Sequence, residues 1–174
     1  MGFIRHGDDN QGWTLLELLT VFAILAILIM VAIPSLSTLI RTQRLIGTTE
    51  NLYTALQNAR SEAIKRNASV VVSFQTGLNW CYGINTSSAC NCSTPSNCNL
   101  GAASATSSDL SLSLSGISGN PAQITIESSH GAPNASGTMT FTINNTTTSM
   151  SVIIRALGSL VTCSSQVSGY QACT

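Results

Sequence analysis

The stretch that decides the fold of the first part of this chain is GWTLLELLTVFAILAILIMVAIP, residues 12–34. Between its first glycine and its final proline it contains no Lys, Arg, Asp, Gly or Pro. A helix of this length, at about 1.5 Å per residue, roughly matches the ~30 Å hydrocarbon core of a bilayer. We therefore predict a membrane-spanning helix over residues 13–33, closed by Pro34.

Glu17 is the one charged residue within this apolar run. A charge at the centre of a bilayer costs roughly 2.5–3.5 kcal/mol on insertion scales, and less toward the interface. Either Glu17 reaches the headgroup region from the end of the span, or it has a specific cationic partner in protein. Both explanations stay open at this point.

After Pro34 the apolar residues become periodic, which predicts an amphipathic helix over residues 34–67. Its apolar positions are Leu36, Leu39, Ile46, Leu52, Leu56, Ala59 and Ala63, and its polar surface holds Arg60, Glu62, Lys65 and Arg66. We expect one continuous helix that Pro34 and Gly47 can kink and that Asn67 ends. The basic residues form a solvated face, or Arg41 and Arg44 contact neighbouring subunits or anionic lipid.

The remainder, residues 68–174, has the pattern of a small β-rich module. Short β-branched or alternating runs lie at residues 69–75, 79–84, 109–114, 123–127, 138–143 and 149–156, with a further candidate at 158–163. Gly, Asn, Ser and Pro separate them, as expected for antiparallel strands. We predict an α+β fold in which the amphipathic helix covers one face of a small antiparallel β-sandwich. A loop over residues 86–108 is longer than loops in compact domains usually are, so we expect it to be tethered or functional.

All six cysteines follow the predicted helix. They are Cys81, Cys90, Cys92, Cys98, Cys163 and Cys173. An even number on one side of a membrane anchor indicates disulfides in an oxidising compartment, and six cysteines allow fifteen pairings. We hypothesise that Cys163 pairs with Cys173, while the other four tether the long loop with different partners for Cys90 and Cys92. A four-thiolate zinc site is the alternative, although Cys-x-Cys is not the usual zinc spacing.

Charge and composition argue against several classes of function. The chain has no net charge and only 8% charged residues. His130 is the only histidine after residue 12, and no Gly-x-Ser-x-Gly motif occurs. Beyond Asn67 the only basic residue is Arg155, whereas a nucleic-acid reader normally has a clustered basic face. We expect no catalytic site, no cofactor and no metal.

The beginning of the chain resembles the class III signal of type IV pilins and pseudopilins. The resemblance rests on Gly12, an aromatic residue, Thr14, two leucines and Glu17, followed by about twenty apolar residues and Pro34. It implies that a prepilin peptidase removes residues 1–12, cutting between Gly12 and Trp13, and that the new amine of Trp13 is methylated. Glu17 would then pair with the amine of a neighbouring subunit. Trp13 stands where the family usually has Phe.

The segment LQNARSEAIKRN, residues 56–67, followed by a strand, Trp80 and Gly83, resembles the GspH/FimT group of minor pilins and pseudopilins. This implies a periplasmic domain over residues 68–174 and an inner-membrane subunit that helps assemble, or forms the tip of, a type II secretion pseudopilus or type IV pilus. Other pilins, the peptidase and the membrane would be its partners. Some FimT-like members instead bind DNA for uptake through a C-terminal Gly-Arg-x-Arg motif. Here residues 158–163 read GSLVTC, which leaves Arg155 as the one candidate DNA contact.

Overall fold

The computed structural model describes residues 13–173, apart from the side chains of residues 31–35. A single helix, α1, runs from Leu15–Arg66 over 52 residues. It ends where Asn67 takes a positive φ of 48°. The amide of Asn67 then donates to the carbonyl of Ile64, and the amide of Ala68 donates to that of Ala63. This pattern satisfies the last free carbonyls of a helix, and Asn is one of the few residues that tolerate the left-handed conformation it requires.

The chain divides after Leu39 into two compact units. In the first unit, the large apolar side chains of α1 between residues 15 and 30 are exposed to between 40% and 79%. Within the part of the chain that the structure describes, no helix is both long enough and apolar enough to cross a membrane.

In the second unit, one face of α1 is buried against the sheets. Its buried residues are Leu45, Thr49, Leu52, Leu56, Ala59 and Ala63, at alternating steps of four and three. Thr49 fits this apolar stripe because its hydroxyl donates to the carbonyl of Leu45 at 2.8 Å. The sequence assignment of Leu36 and Leu39 to the buried face was wrong, since each is 55% exposed. The buried face begins at Leu45, and Ile46 beside it is only partly buried.

Eight strands follow the helix in the described residues. They are β1 (Val70–Gln75), β2 (Cys81–Thr86), β3 (Gly101–Ser104), β4 (Leu110–Ser115), β5 (Ala122–Ile126), β6 (Gly137–Ile143), β7 (Ser149–Ile154) and β8 (Leu160–Cys163). They form two four-stranded antiparallel sheets with the orders β3-β2-β1-β5 and β4-β6-β7-β8. The predicted α+β fold, a long helix packed on antiparallel sheets, is confirmed.

A single hydrophobic core joins the helix and both sheets. Alternate strand residues point into it, as in β6, where Met139, Phe141 and Ile143 are buried and the threonines between them are only partly so. Trp80, just before β2, meets Phe141 of the other sheet edge to face, with ring centroids 5.0 Å apart. Because both sheets contribute to one core, we expect the module to unfold as one cooperative unit.

The predicted loop over residues 86–108 contains more structure than its composition suggests. It holds a 3₁₀ turn at Pro95–Asn97 and the edge strand β3, which pairs with β2 from Cys81↔Ser104 to Ile84↔Gly101. The sequence missed β3 because Gly, Ala and Ser have low strand propensity. Pairing with β2, and not local preference, makes this segment a strand.

Candidate functional site

The start of α1 holds two of the predicted site residues. Trp13 is 71% exposed and lies just before the helix. The Thr14 carbonyl accepts the amide of Leu18 at 3.1 Å, and the Thr14 hydroxyl accepts the amide of Glu17 at 3.2 Å. Thr14 is therefore the N-cap of the helix, and Glu17 occupies its third position.

This geometry gives the Glu17 carboxylate a local role that the sequence analysis missed. A negative charge in the first turn of a helix is stabilised by the helix dipole, typically by about 0.3–1 kcal/mol. The signal was present, because Thr-x-x-Glu before an apolar run is the sequence pattern of a capping box. Glu17 is also exposed, so the carboxylate remains accessible to a partner outside this chain.

The remaining processing and assembly residues are placed less fully. Gly12, on the leader side of the predicted cleavage, lies outside the described residues. Pro34 lies within α1. Cleavage between Gly12 and Trp13, and methylation of Trp13, stay predictions.

The four central cysteines form two crossed disulfides, Cys81–Cys92 and Cys90–Cys98. Cys90 and Cys92 thus have different partners. Both bridges lie against the outer face of the first sheet, where the amide of Cys90 donates to the buried Ser73 hydroxyl at 3.1 Å. The loop over residues 86–108 is therefore tethered, and the described residues contain no free cysteine.

Gly83 explains how the bridges can lie so close to the sheet. A Cβ built at this position would meet the sulfur of Cys98 and would lie 2.7 Å from the sulfur of Cys90 and 3.1 Å from the Cβ of Cys92. Contacts under 3.0 Å are too short for any real side chain. Glycine is thus needed here for close approach and not for an unusual backbone angle.

The third disulfide, Cys163–Cys173, closes the C-terminal loop. Within that loop Val167 is buried in the core and Tyr170 packs against it. Burial, together with the hydrogen bond to Glu50 and the negative charge of that carboxylate, raises the pKa of Tyr170. The loop thus joins the common core through Val167, and the Tyr170 hydroxyl must remain protonated to donate to Glu50 of α1.

Most of the basic residues of α1 already have partners within the chain. Arg44 pairs with Asp109 at 2.7 Å, and Lys65 and Arg66 both pair with Glu62, at 3.4 and 2.7 Å. The hydrogen bond from Arg66 is the main cause that lowers the pKa of Glu62. Burial opposes it, and the hydrogen bond from Lys65 and the charges of both basic residues add to the lowering. These three basic groups of α1 therefore contact carboxylates within the chain.

Arg60 departs from the predicted solvated face. It is partly buried, donates to the carbonyl of Gly158 at 3.0 Å and lies 3.5 Å from the carbonyl of His130. A Cβ built at Gly131 would lie 2.6 Å from the Cγ of Arg60. Arg60 therefore fastens two loops of the sandwich to the helix.

A family model described as type II transport protein GspH matches residues 48–158, more than half of the chain. The chain belongs to the GspH family. Comparisons with curated proteins and with solved structures find no significant match. The matched region begins within the part of α1 that packs on the sheets and extends through β7. As a GspH-family protein the chain is a minor pseudopilin of the type II secretion and pilus class, in which subunits interact with other pseudopilins.

This GspH-family chain has one further candidate residue, Arg155, in the turn after β7. The Arg155 amide donates to the carbonyl of Ser159, and its carbonyl accepts the amide of Gly158 at 2.7 Å. Its neighbours in a shallow depression are uncharged, among them Ser115, Ser136 and Thr138. Within the described residues, no group of three or more His, Cys, Asp or Glu side chains is placed to hold a metal ion.

Proposed function

We propose that this GspH-family protein is processed between Gly12 and Trp13, anchored in the bacterial inner membrane by residues 13–33, and built into a type II secretion pseudopilus or type IV pilus during its assembly or at its tip. In this proposal the disulfide-linked module over residues 68–174 is periplasmic. The partners are other pseudopilins, the prepilin peptidase and the membrane.

The observation that carries the proposal is the exposed apolar surface of α1 between residues 15 and 30. A soluble monomer rarely exposes a contiguous apolar patch larger than a few hundred Å². Lipid before assembly, and neighbouring helices after it, would cover this surface in turn. Glu17 is the only charge within that segment, so its carboxylate is the group available to neutralise the N-terminal amine of a neighbouring subunit.

The test is a pair of carboxylate substitutions in the full chain. Glu17→Ala should be inserted and processed to an N-terminal, methylated Trp13, yet be absent from sheared filaments. Glu62→Ala is the matched control, since Glu62 is a helix carboxylate that pairs with Lys65 and Arg66 of its own chain. Mass spectrometry of the N-terminus reports processing, and immunoblotting of the filament fraction reports incorporation.

Two results would count against the proposal. Normal incorporation of Glu17→Ala would leave the carboxylate with only its stabilising position in the first turn of α1. A mature chain that begins anywhere other than Trp13 would remove the processing assignment itself. Gly12→Lys provides the complementary arm, since it should leave an unprocessed precursor that still retains residues 1–12 and still enters the membrane.

Uptake of DNA is the weaker alternative. Binding of duplex DNA needs several unpaired cations on one surface, and four of the six basic residues beyond Trp13 already contact carboxylates or carbonyls of this chain. We therefore expect weak or no binding to duplex DNA at ~150 mM salt. Micromolar binding with a steep salt dependence that Arg155→Ala abolishes would favour this alternative.

A further inference from the structure

A groove runs between α1 and the edge strand β3. Two adjoining cavities of about 210 and 260 Å³ share the lining residues Thr48, Asn51, Trp80 and Thr106. A third cavity of about 200 Å³ continues along the same helix face past Ala55, and Tyr82 lines both it and the first. The helix forms one wall and β3 forms the other. Tyr82 of β2 and Trp80, just before β2, line the space between them.

The groove exists because β3 has no large side chain to fill it. The β2–β3 register places Ala103 opposite Tyr82 and Gly101 opposite Ile84. Tyr82 and Ile84 point into the core, so their partners Ala103 and Gly101 face the helix as well. Larger residues at these two positions would close the groove.

The wall made by β3 carries unused backbone hydrogen-bonding groups. Among the described residues, β3 pairs with β2 alone. The Ala105 amide donates to the Trp80 carbonyl at 2.9 Å, so these two residues form a hydrogen-bonded pair. Hydrogen-bonded pairs recur at every second residue of an antiparallel ladder, so Ala103 and Tyr82 form the next one. The amides and carbonyls of Ala102 and Ser104 therefore point away from β2. Such an edge is a template for another strand.

Trp80 gives an independent sign that the groove lacks an occupant. Its side chain lines two of the cavities and is only 6% exposed, yet its indole N–H has no acceptor among the described residues. A buried donor left without a partner is costly, so native proteins rarely keep one. An occupant with a side-chain hydroxyl or carbonyl would supply the missing acceptor.

We infer that this groove binds an extended, uncharged polypeptide segment of another protein, which adds to β3 as a strand. The backbone edge of Ala102 and Ser104 supplies the hydrogen bonds, and small apolar or hydroxyl side chains at alternate positions enter between the helix and Trp80. Charge selects the class of partner. Among the described residues, Arg44 is the only charged residue that lines the groove, and Asp109 already pairs with it.

The test measures binding of a dye-labelled peptide, acetyl-Thr-Val-Thr-Val-Thr-Val-amide, to the full chain in detergent micelles by fluorescence anisotropy. Ala102→Pro removes an outward amide without touching the β2–β3 bonds, so it should weaken binding at least tenfold. Ala102→Ser is the matched control, which keeps the amide and should bind like the unchanged chain. Ala103→Leu should block the groove and weaken binding to a similar extent. Circular dichroism on each variant checks that the sheets remain folded.

A second readout separates strand addition from loose adsorption. The two tryptophans give two indole N–H signals in a ¹⁵N spectrum, and the peptide should shift that of Trp80 but not that of Trp13. The same peptide with N-methylated amides on its bonding edge should neither bind nor shift Trp80. Equal binding to Ala102→Pro and Ala102→Ser would overturn the inference. So would a lack of binding to the unchanged chain at 1 mM peptide, both for this sequence and for its Ser/Ala and Asn/Val analogues.

Discussion

Gly83 offers a sharp test of how the disulfide-linked loop is held. In Gly83→Ala the added Cβ would overlap the sulfur of Cys98 and lie 2.7 Å from that of Cys90. The Cys90–Cys98 bridge would have to move away from β2. Inserting a methyl group into a site this closely packed typically costs about 1–3 kcal/mol. We expect the free energy of unfolding to fall by that amount.

The same substitution should behave differently without the bridge. In a Cys90→Ala/Cys98→Ala background the two sulfurs are gone, and alanine is favoured over glycine in a strand interior by roughly 0.5–1 kcal/mol. Gly83→Ala should then be neutral or slightly stabilising. Its contact with the Cβ of Cys92 at 3.1 Å limits the gain. The difference between the two backgrounds is a coupling energy of about 2 kcal/mol.

Urea unfolding of the full chain in mild non-reducing detergent, followed by circular dichroism, measures all four members of this cycle. The midpoint and slope should be compared, since a changed slope would indicate altered compactness and not only altered stability. If Gly83→Ala costs the same within about 0.5 kcal/mol in both backgrounds, the proximity of the sulfurs is not the reason for glycine at this position.

Three further predictions concern the contacts around the helix. Tyr170→Phe should reduce the loss of stability at alkaline pH. Burial and Glu50 raise the pKa of Tyr170 in the folded state above 10.0, so the stability that the protonated hydroxyl contributes is full below pH 10.0 and is lost as the pH rises through the folded pKa. Urea midpoints at pH 8 and pH 11 measure this loss in both proteins. Replacing Cys163 and Cys173 together by alanine should lower the free energy of unfolding by about 3 kcal/mol, the chain-entropy value for a loop of roughly ten residues, with strand content unchanged by circular dichroism. Arg60→Met keeps the apolar stem but loses the bonds to two loop carbonyls, so urea unfolding should show a loss of about 1–2 kcal/mol, and a loss below 0.3 kcal/mol would argue against a fastening role.

The helix and the class of fold could be predicted from the sequence because they depend on periodicity. The steps of three and four along residues 45–63 require only that one side of a helix face a core. The boundary of the buried face could not be predicted, because Leu36 and Leu39 fit the same period but lie in the other compact unit. Periodicity indicates which side of a helix is apolar, not where along its length a core begins.

The candidate site likewise has parts that the sequence predicts and parts that it does not. The resemblance to a class III signal rests on residue types and spacing, and the cleavage and methylation that it implies stay predictions. Thr14 and Glu17 also carry a capping pattern, and Thr14 does cap α1 in the structure. Neither β3 nor the groove beside it had a local signal, because both arise from pairing with β2. The partners of Arg60 could not be found either, since Gly158 lies 98 residues further along the chain.

The cysteines of the loop that lies against the outer face of the first sheet also contribute to packing. Residues 87–99 contain only Ser, Ala, Cys, Asn, Thr and Pro, so the segment has no large side chain with which to bury itself on the sheet. Yet Cys90, Cys92 and Cys98 are each at least 93% buried. The half-cystines are therefore both the apolar groups of the loop and its covalent attachment. Because β3 follows directly after this loop, the two bridges also fix the position of the strand whose free edge forms the wall of the groove.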